Sequence, residues 1–477
     1  MRRFVLVFAA LAGCTVRVNY GGTHYRCDDG QCPTGYQCIA AVCELPLAPD
    51  AGASDGGDAT VTVDDAGNIV DAAPLPDGTV AGDSSVMPDA APARCGTFAL
   101  LSDDFSDGAR GEPWGESYAN APSTIAETGG RLTVNLAAGA GNGAYAGYAT
   151  QRSYDLRGER FAIEAVQMPP ATTTAQGYFN IGIDGQNLLE LVVEGGQLYA
   201  QYQVNGTGTV VRQVAYNATN HRFWAFREAS SRLFFEVSSD GTTWTELGSA
   251  AAPFSLALLK ANLGGGTYRA EPVASSVVFD NVGVRPAPTA RATWCKPGAL
   301  TDDFNDGVVG RPWGIYRDGS GALAETGGVV VETVPVNAAG GATLYSRQAF
   351  DLQSSMLTVR LAQSVNPATS ALATLRIEVP GHYADLTVQN GQLGVGYDDM
   401  TLATMTYVPA THRWLRLRES AGQLFWETSA DGVTFTPRLT RATPFAVSAV
   451  VVAMEAYSGA GFAAPGGAQW DDYNLPP

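Results

Sequence analysis

The stretch Asn220-His221-Arg222-Phe223-Trp224-Ala225-Phe226-Arg227-Glu228 returns as Thr411-His412-Arg413-Trp414-Leu415-Arg416-Leu417-Arg418-Glu419, 191 residues later. The likeness continues without a gap from Leu233-Phe234-Phe235-Glu236 through Ser238 and Asp240-Gly241 to their counterparts Leu424-Phe425-Trp426-Glu427, Ser429 and Asp431-Gly432. Two copies at one long spacing mean two homologous domains, and whatever fold the first adopts the second must adopt too. A chain of 477 residues has room for two or three ordinary domains.

Other anchors repeat in the same order. Asp103-Asp104-Phe105-Ser106-Asp107-Gly108 answers Asp302-Asp303-Phe304-Asn305-Asp306-Gly307, Trp114-Gly115 answers Trp313-Gly314, and Glu127-Thr128-Gly129-Gly130 answers Glu325-Thr326-Gly327-Gly328. Near the end of each copy stand Phe279-Asp280-Asn281-Val282 and Trp470-Asp471-Asp472-Tyr473. The offset drifts from 199 at Asp103 to 191 at His221, so loops between elements differ in length. Between anchors lie short runs rich in Val, Thr, Tyr, Phe and Leu, such as Arg160–Val166 and Gln197–Val204, punctuated by Asp184-Gly185 and Gly195-Gly196. No window carries a sustained helical stripe. The pattern predicts all-β sandwiches over 95–289 and 290–477, with Asp240-Gly241 and Asp431-Gly432 suited to tight hairpins.

The segment before the repeats reads differently. Two arginines precede the apolar run Phe4–Gly13, which is too short to span a bilayer but has the plan of a secretory signal over 1–13. Its end, Leu11-Ala12-Gly13-Cys14, resembles the lipobox of bacterial lipoproteins. That resemblance implies a lipidated Cys14, extracytoplasmic anchoring to a membrane and, with Thr15 rather than Asp after it, the outer membrane. Over 14–44, Cys27, Cys32, Cys38 and Cys43 fit a miniature module held by two disulfides, since so short a segment cannot bury enough surface unaided. Zinc is the other reading, and the spacings lack a Cys-x2-Cys pair. Cys95 and Cys295, just before each repeat, are placed to pair with each other. Residues 45–94 contain no aromatic, and Asp recurs every six residues from Asp65 to Asp89. Such a linker is expected to stay disordered and extended, because it has nothing to bury against its ordering entropy. Residues 44–94 hold nine Asp, one Glu and one Arg, or −9 of the chain's net −18. That balance excludes nucleic acid as a partner, since phosphate contacts need clustered Lys and Arg.

The opening Asp-Asp-Phe-x-Asp-Gly with its nearby Trp, the Glu-Thr-Gly-Gly turn and the Glu-x-Ser-x-Asp-Gly hairpin together resemble the jelly-roll domains of the concanavalin A-like lectin/glucanase superfamily. The resemblance covers both repeats and implies a sugar-related fold. Two candidate sites follow. On an extended strand, His221, Phe223 and Arg227 would share one face, as would His412, Trp414, Arg416 and Arg418, while Trp224 and Phe226 face the core. An aromatic beside guanidinium donors suits a carbohydrate or glycoprotein ligand. The bland alternative is a cross-strand pair of Arg227 with Glu236, or Arg418 with Glu427. The second candidate is a structural calcium held by Asp104 and Asp280, or Asp303 and Asp471, where first and last strands would meet.

For catalysis, the resembling glycosidases need two carboxylates close together on one strand face, and no Glu-x-Asp-x-x-Glu cluster occurs. Glu190 and Glu194 come nearest, with Asp385 and Gln389 as their counterparts. The expectation is therefore a binding protein and not an enzyme. A structural or adhesive envelope protein is the alternative, and a diverged glycoside hydrolase the third reading.

Overall fold

The computed structural model describes residues 94–141, 143–283 and 292–476, and the backbone of 37–39 and 42–44. The signal segment, Cys14, Cys27, Cys32 and the acidic linker lie outside the described residues. Cys38 and Cys43 stand directly opposite each other in a two-stranded antiparallel pair, Gln37–Ile39 with Val42–Glu44.

Each repeat is a sandwich of two seven-stranded antiparallel sheets. One sheet of each domain carries the repeated stretch. In domain 1 its order is Thr245–Ala251, Arg232–Ser238, Phe223–Ala229, Arg160–Gln167, Ser275–Asp280, Leu132–Leu136, Thr124–Glu127. The facing sheet, here the groove sheet, runs Thr207–Ala215, Gln197–Val204, Asn187–Glu194, Gln176–Asp184, Lys260–Thr267, Ala144–Ala149, Tyr118–Ala119. Domain 2 repeats both orders. Its groove sheet runs Met400–Thr406, Gln392–Tyr397, His382–Gln389, Leu372–Val379, Val451–Ser458, Gly340–Ser346, Trp313–Asp318. Late strands lie between early ones, which is a jelly roll's connectivity. Among the described residues the α-helix is limited to one turn, Pro409–His412.

Period-two alternation buries one face of each sheet. In domain 1 the core is an aromatic chain crossing between the sheets. Phe161 meets Phe179 of the groove sheet at 5.4 Å, Phe179 meets Phe226 at 4.9 Å, and Phe226 meets Phe235 at 5.6 Å. Domain 2 fills the same places with Leu357, Leu375, Leu417 and Trp426, all fully buried. Tilted and edge-on rings add about 0.5–1.5 kcal/mol per pair beyond their buried area, so the two cores reach one shape by different chemistry.

The repeated motifs are the fold's fastenings. Asp103 Oδ2 accepts from Trp114 Nε1 at 2.7 Å and its Oδ1 from the Phe105 amide at 2.7 Å. Asp302 does the same with Trp313 and Phe304, at 2.8 and 2.9 Å. The bond bends Phe105 and Phe304 to φ of 51° and 49°, a left-handed conformation that non-glycine residues rarely hold. Asp103 also bridges to Val282, and Asp302 to Tyr473, so the first segment of each domain closes on its last. Thr-Gly-Gly makes a two-residue hairpin with both glycines at positive φ, 61° and 71° in domain 1, which side chains disfavour. The Asp-Gly hairpins are longer than a tight turn. Asp240 Oδ1 accepts from the Thr242 and Thr243 amides at 2.8 and 2.7 Å, and the loop spans the six residues between Ser238 and Thr245.

Candidate functional site

The structure divides the repeated stretch. His221 and His412 are not on the strands, which begin at Phe223 and Trp414. Each closes a turn instead. His221 Nδ1 accepts from the Asn217 amide at 3.2 Å, and His412 Nδ1 from the Val408 amide at 3.1 Å. An Nδ1 that accepts must be unprotonated, and burial lowers both imidazole pKa values in keeping with this. Extended-strand parity therefore fails for these two residues, because the chain is still turning there. Phe223 lies close under the Asp240-Gly241 hairpin, and Trp414 is only 3% exposed. Arg227 and Arg160 both grip the buried Glu236, at 2.8 and 2.7 Å. Arg416 and Arg418 grip Glu427 at 2.6 and 3.0 Å. Arg227 also lies 3.9 Å over the Phe234 ring, and Arg418 3.8 Å over Phe425. The stripe satisfies itself: one carboxylate takes two guanidiniums, and each guanidinium covers a ring. Each of these guanidiniums has its ion-pair partner within the sheet.

The aspartates likewise have other work. Asp104 accepts from the Ser106 amide at 3.1 Å, and Asp303 from the Asn305 amide at 3.2 Å. Asp280 lies 3.6 Å from Arg131, and Asp471 is ion-paired with Arg360. First and last strands do meet as expected, yet their carboxylates turn to separate partners. Among the described residues no three His, Cys, Asp or Glu gather to hold a metal.

The open polar surface is the outer face of the groove sheet. In domain 1 it presents Gln176, Tyr178 and Asn180, then Glu190 and Glu194, and Tyr118 and Tyr145 from beyond the central strands. Hydrogen bonds tie most of them into local groups. Tyr145 Oη donates to Gln176 at 3.1 Å, and Gln176 Nε2 to Glu194 at 2.7 Å. Gln201 Nε2 donates to Glu190 at 2.6 Å. Tyr118 and Tyr178 share a hydrogen bond, and burial pushes both phenols up, Tyr178 well above its ordinary value.

In domain 2 the same face is hollowed into a groove of about 440 Å³. Arg376, Tyr383, Asp385, Thr387, Gln389 and Glu455 line it. Register explains the assembly. Arg376 is opposite Asp385 on one neighbour, while Thr374 is opposite Glu455 on the other, so carboxylates about 70 residues apart in sequence flank one strand. Thr387 Oγ1 donates to Asp385 at 3.1 Å, and Tyr383 Oη to Asp399 at 2.6 Å. Arg376 Nη2 is 3.5 Å from Glu455, and its guanidinium lies 5.5 Å over the Tyr383 ring. Burial, opposed by the Thr387 hydrogen bond and Arg376, raises Asp385 to about 6. Burial also raises Glu455. Of the lining residues, the sequence pointed to Asp385 and Gln389 as counterparts of Glu190 and Glu194, but not to Arg376, Tyr383 or Glu455, which come from other strands or carry no carboxylate pattern along one strand. The available signal was a polar residue at every second position of successive strands, as in Tyr383-x-Asp385-x-Thr387-x-Gln389.

Both domains have the jelly-roll fold that the resemblance implied. No protein-family model matches the chain, and no curated protein does. Among solved structures, a laminarinase catalytic domain from Thermotoga petrophila is similar at 10% identity, over 38% of this chain and 94% of that one, with a TM-score of 0.31. A β-glucanase of Bacillus licheniformis is similar at 13% identity, over 38% and 95%, with a TM-score of 0.28. The carbohydrate recognition domain of Emp47p is similar at 15% identity, over 36% and 94%, with a TM-score of 0.27. The expectation that the chain is not an enzyme is corrected by these matches, since most of the solved structures it resembles are enzymes on this fold. The motif search behind that expectation required catalytic carboxylates to be near in sequence, and a sheet brings them together from different strands.

Proposed function

We propose that the domain 2 groove binds a carbohydrate chain, free or on a glycoprotein. The observation that carries this reading is the groove's lining: an aromatic face at Tyr383 beside a planar donor, Arg376, with hydroxyl, amide and carboxylate groups around them. A catalytic reading of the same groove is favoured by Asp385, whose pKa of about 6 keeps a share of it protonated near neutral pH, on the other side of one strand from the second raised carboxylate, Glu455. One experiment separates these. The full chain is mixed with insoluble β-glucan, chitin and immobilised mucin, and both retained protein and released reducing ends are measured. Retention that Tyr383→Ala or Arg376→Ala abolishes supports binding, and reducing ends lost in Asp385→Asn support cleavage. Wild-type retention in both groove variants, with no sugar released, would overturn the assignment.

The anchor belongs to the same reading. Lipidation at Cys14 would place the two sandwiches outside the cytoplasm on the outer membrane, with 45–94 as a stalk. Fatty-acid labelling of the wild type that is absent from Cys14→Ala is the expected result.

A further inference from the structure

The two domains meet at one end of their groove sheets. Cys95 and Cys295 are disulfide-bonded. Beside them the Gly96 amide donates to Thr293 O at 2.8 Å, the Ser153 amide to Arg347 O at 2.8 Å, and Arg311 Nη2 to Ala257 O at 3.0 Å. Trp294 stacks 5.4 Å from Tyr154. These residues flank strand ends. Ala149 closes one groove strand of domain 1 and Lys260 opens its neighbour, while Ser346 closes and Trp313 opens two adjacent groove strands of domain 2.

Parity shows which groups face outward at this end of each sheet. Lys260 shares the outer face with Asn262, and its Nζ holds Glu116 Oε1 at 2.5 Å, so the Glu116 carboxylate lies on the outer face at this end. In domain 2, Leu344 and Ser346 point into the core, so Tyr345 between them points outward. Its ring lies over Gly314, where a Cβ would stand 2.2 Å from it. Tyr345 stands two residues before Arg347, whose carbonyl accepts from the Ser153 amide at 2.8 Å, and the Glu116 amide donates to Ala149 O at 3.2 Å, so both outward groups flank the junction; the Glu116 charge, after burial, raises the Tyr345 phenol.

We propose that the two groove-sheet faces form one continuous platform, crossed by a single polysaccharide chain, with Tyr345 as the ring at the seam. The inference rests on the carbohydrate reading of the groove. It adds that domain 1 takes part, and that ligand length is a determinant. Asn262 stands two residues in from Lys260 and Ala453 two in from Val451, so about 7 Å of strand separates each domain's central residues from the seam. The disulfide and the three hydrogen bonds fix the two halves in register, which is the condition for both to engage one chain.

The test uses the full chain and soluble laminarin, mixed-linkage β-glucan, chitin oligosaccharides and mucin glycans, each as a short and a long fraction, by titration calorimetry. The long fraction is expected to bind at least about a hundredfold tighter than the short one. Tyr345→Ala is expected to remove that excess while leaving short-fraction affinity unchanged, and Tyr345→Phe, which keeps the ring, to retain it. Equal affinity for both fractions, or an undiminished excess in Tyr345→Ala with unchanged melting, overturns the platform and leaves the groove assignment standing. If no fraction of any polymer binds, the groove assignment fails and the platform with it.

Discussion

Glu332 offers the sharpest test of how the two domains diverged. It is fully buried in the core of domain 2. Its Oε2 accepts from Trp470 Nε1 at 2.9 Å and its Oε1 from the Leu344 amide at 3.1 Å. Register equates Glu332, Ala468 and Trp470 with Val134, Val277 and Phe279 of domain 1, an all-apolar set in the same places. Burial raises the Glu332 carboxyl well above its ordinary 4.5, and the two hydrogen bonds oppose this without reversing it. The sign follows. Below 4.5 both folded and unfolded chains hold the proton, and its contribution to stability is complete. Above that the unfolded chain ionises first, and domain 2 loses about 1.4 kcal/mol per pH unit until the folded group ionises too. Urea unfolding of the full chain, followed from about pH 5 to about pH 8, reads this as a falling midpoint for the domain 2 transition. Glu127, Asp385 and Glu455 are raised as well, so the informative quantity is the difference from Glu332→Val. That variant should lose the Glu332 slope, at a cost of about 1–3 kcal/mol for each donor left bare. Adding Ala468→Val and Trp470→Phe rebuilds the domain 1 set, removes the indole donor and should recover much of that cost. A Glu332→Val protein whose stability differs from wild type by the same amount at every pH would refute the reasoning.

Three further outcomes are expected. Glu427→Ala, which strands Arg416 and Arg418, should lower domain 2 stability by about 1–3 kcal/mol, less than a fully buried pair because both guanidiniums reach solvent, and leave polysaccharide retention intact. Equilibrium unfolding with a parallel pull-down checks both halves of that statement. Cys95→Ser/Cys295→Ser should cost about 2–5 kcal/mol by freeing the unfolded chain across a 200-residue separation, and should speed proteolysis between the domains. Melting of the full chain should not change on adding chelator, since Asp104, Asp280, Asp303 and Asp471 each have an amide or guanidinium partner.

The architecture was legible because the sequence states it twice. A strand pattern alone is ambiguous, but Asp103 with Trp114 and Asp302 with Trp313 recur at the same separation because the same hydrogen bond must form in both domains. The bond that closes the opening segment of each domain is thus written into the spacing. Residues that close on themselves repeat well for this reason, and the Arg–Glu–aromatic stripe repeats as strongly as any. That made it look like a site, whereas its conspicuousness comes from three side chains that need one another.

The groove is the reverse case. Its residues differ between the domains: Tyr178 where domain 2 has Thr374, Asn180 where it has Arg376, and a glycine at 264 where it has Glu455. Nothing in the fold demands a particular side chain on an outward sheet face, so the two copies were free to part there while the Asp–Trp bonds and the Gly-Gly and Asp-Gly hairpins stayed alike. Divergence on an outward face, on a frame whose Asp–Trp and Arg–Glu fastenings repeat, is what two halves of a binding surface would show if they met different parts of a ligand. Exchange of Arg376 and Glu455 for the Asn and Gly of domain 1 tests this. If the halves have separate roles, Arg376→Asn/Glu455→Gly should abolish retention on the polymer the wild type holds, although domain 1 still carries the same pair. Full retention would mean the two faces are interchangeable, and the charged lining of the groove incidental.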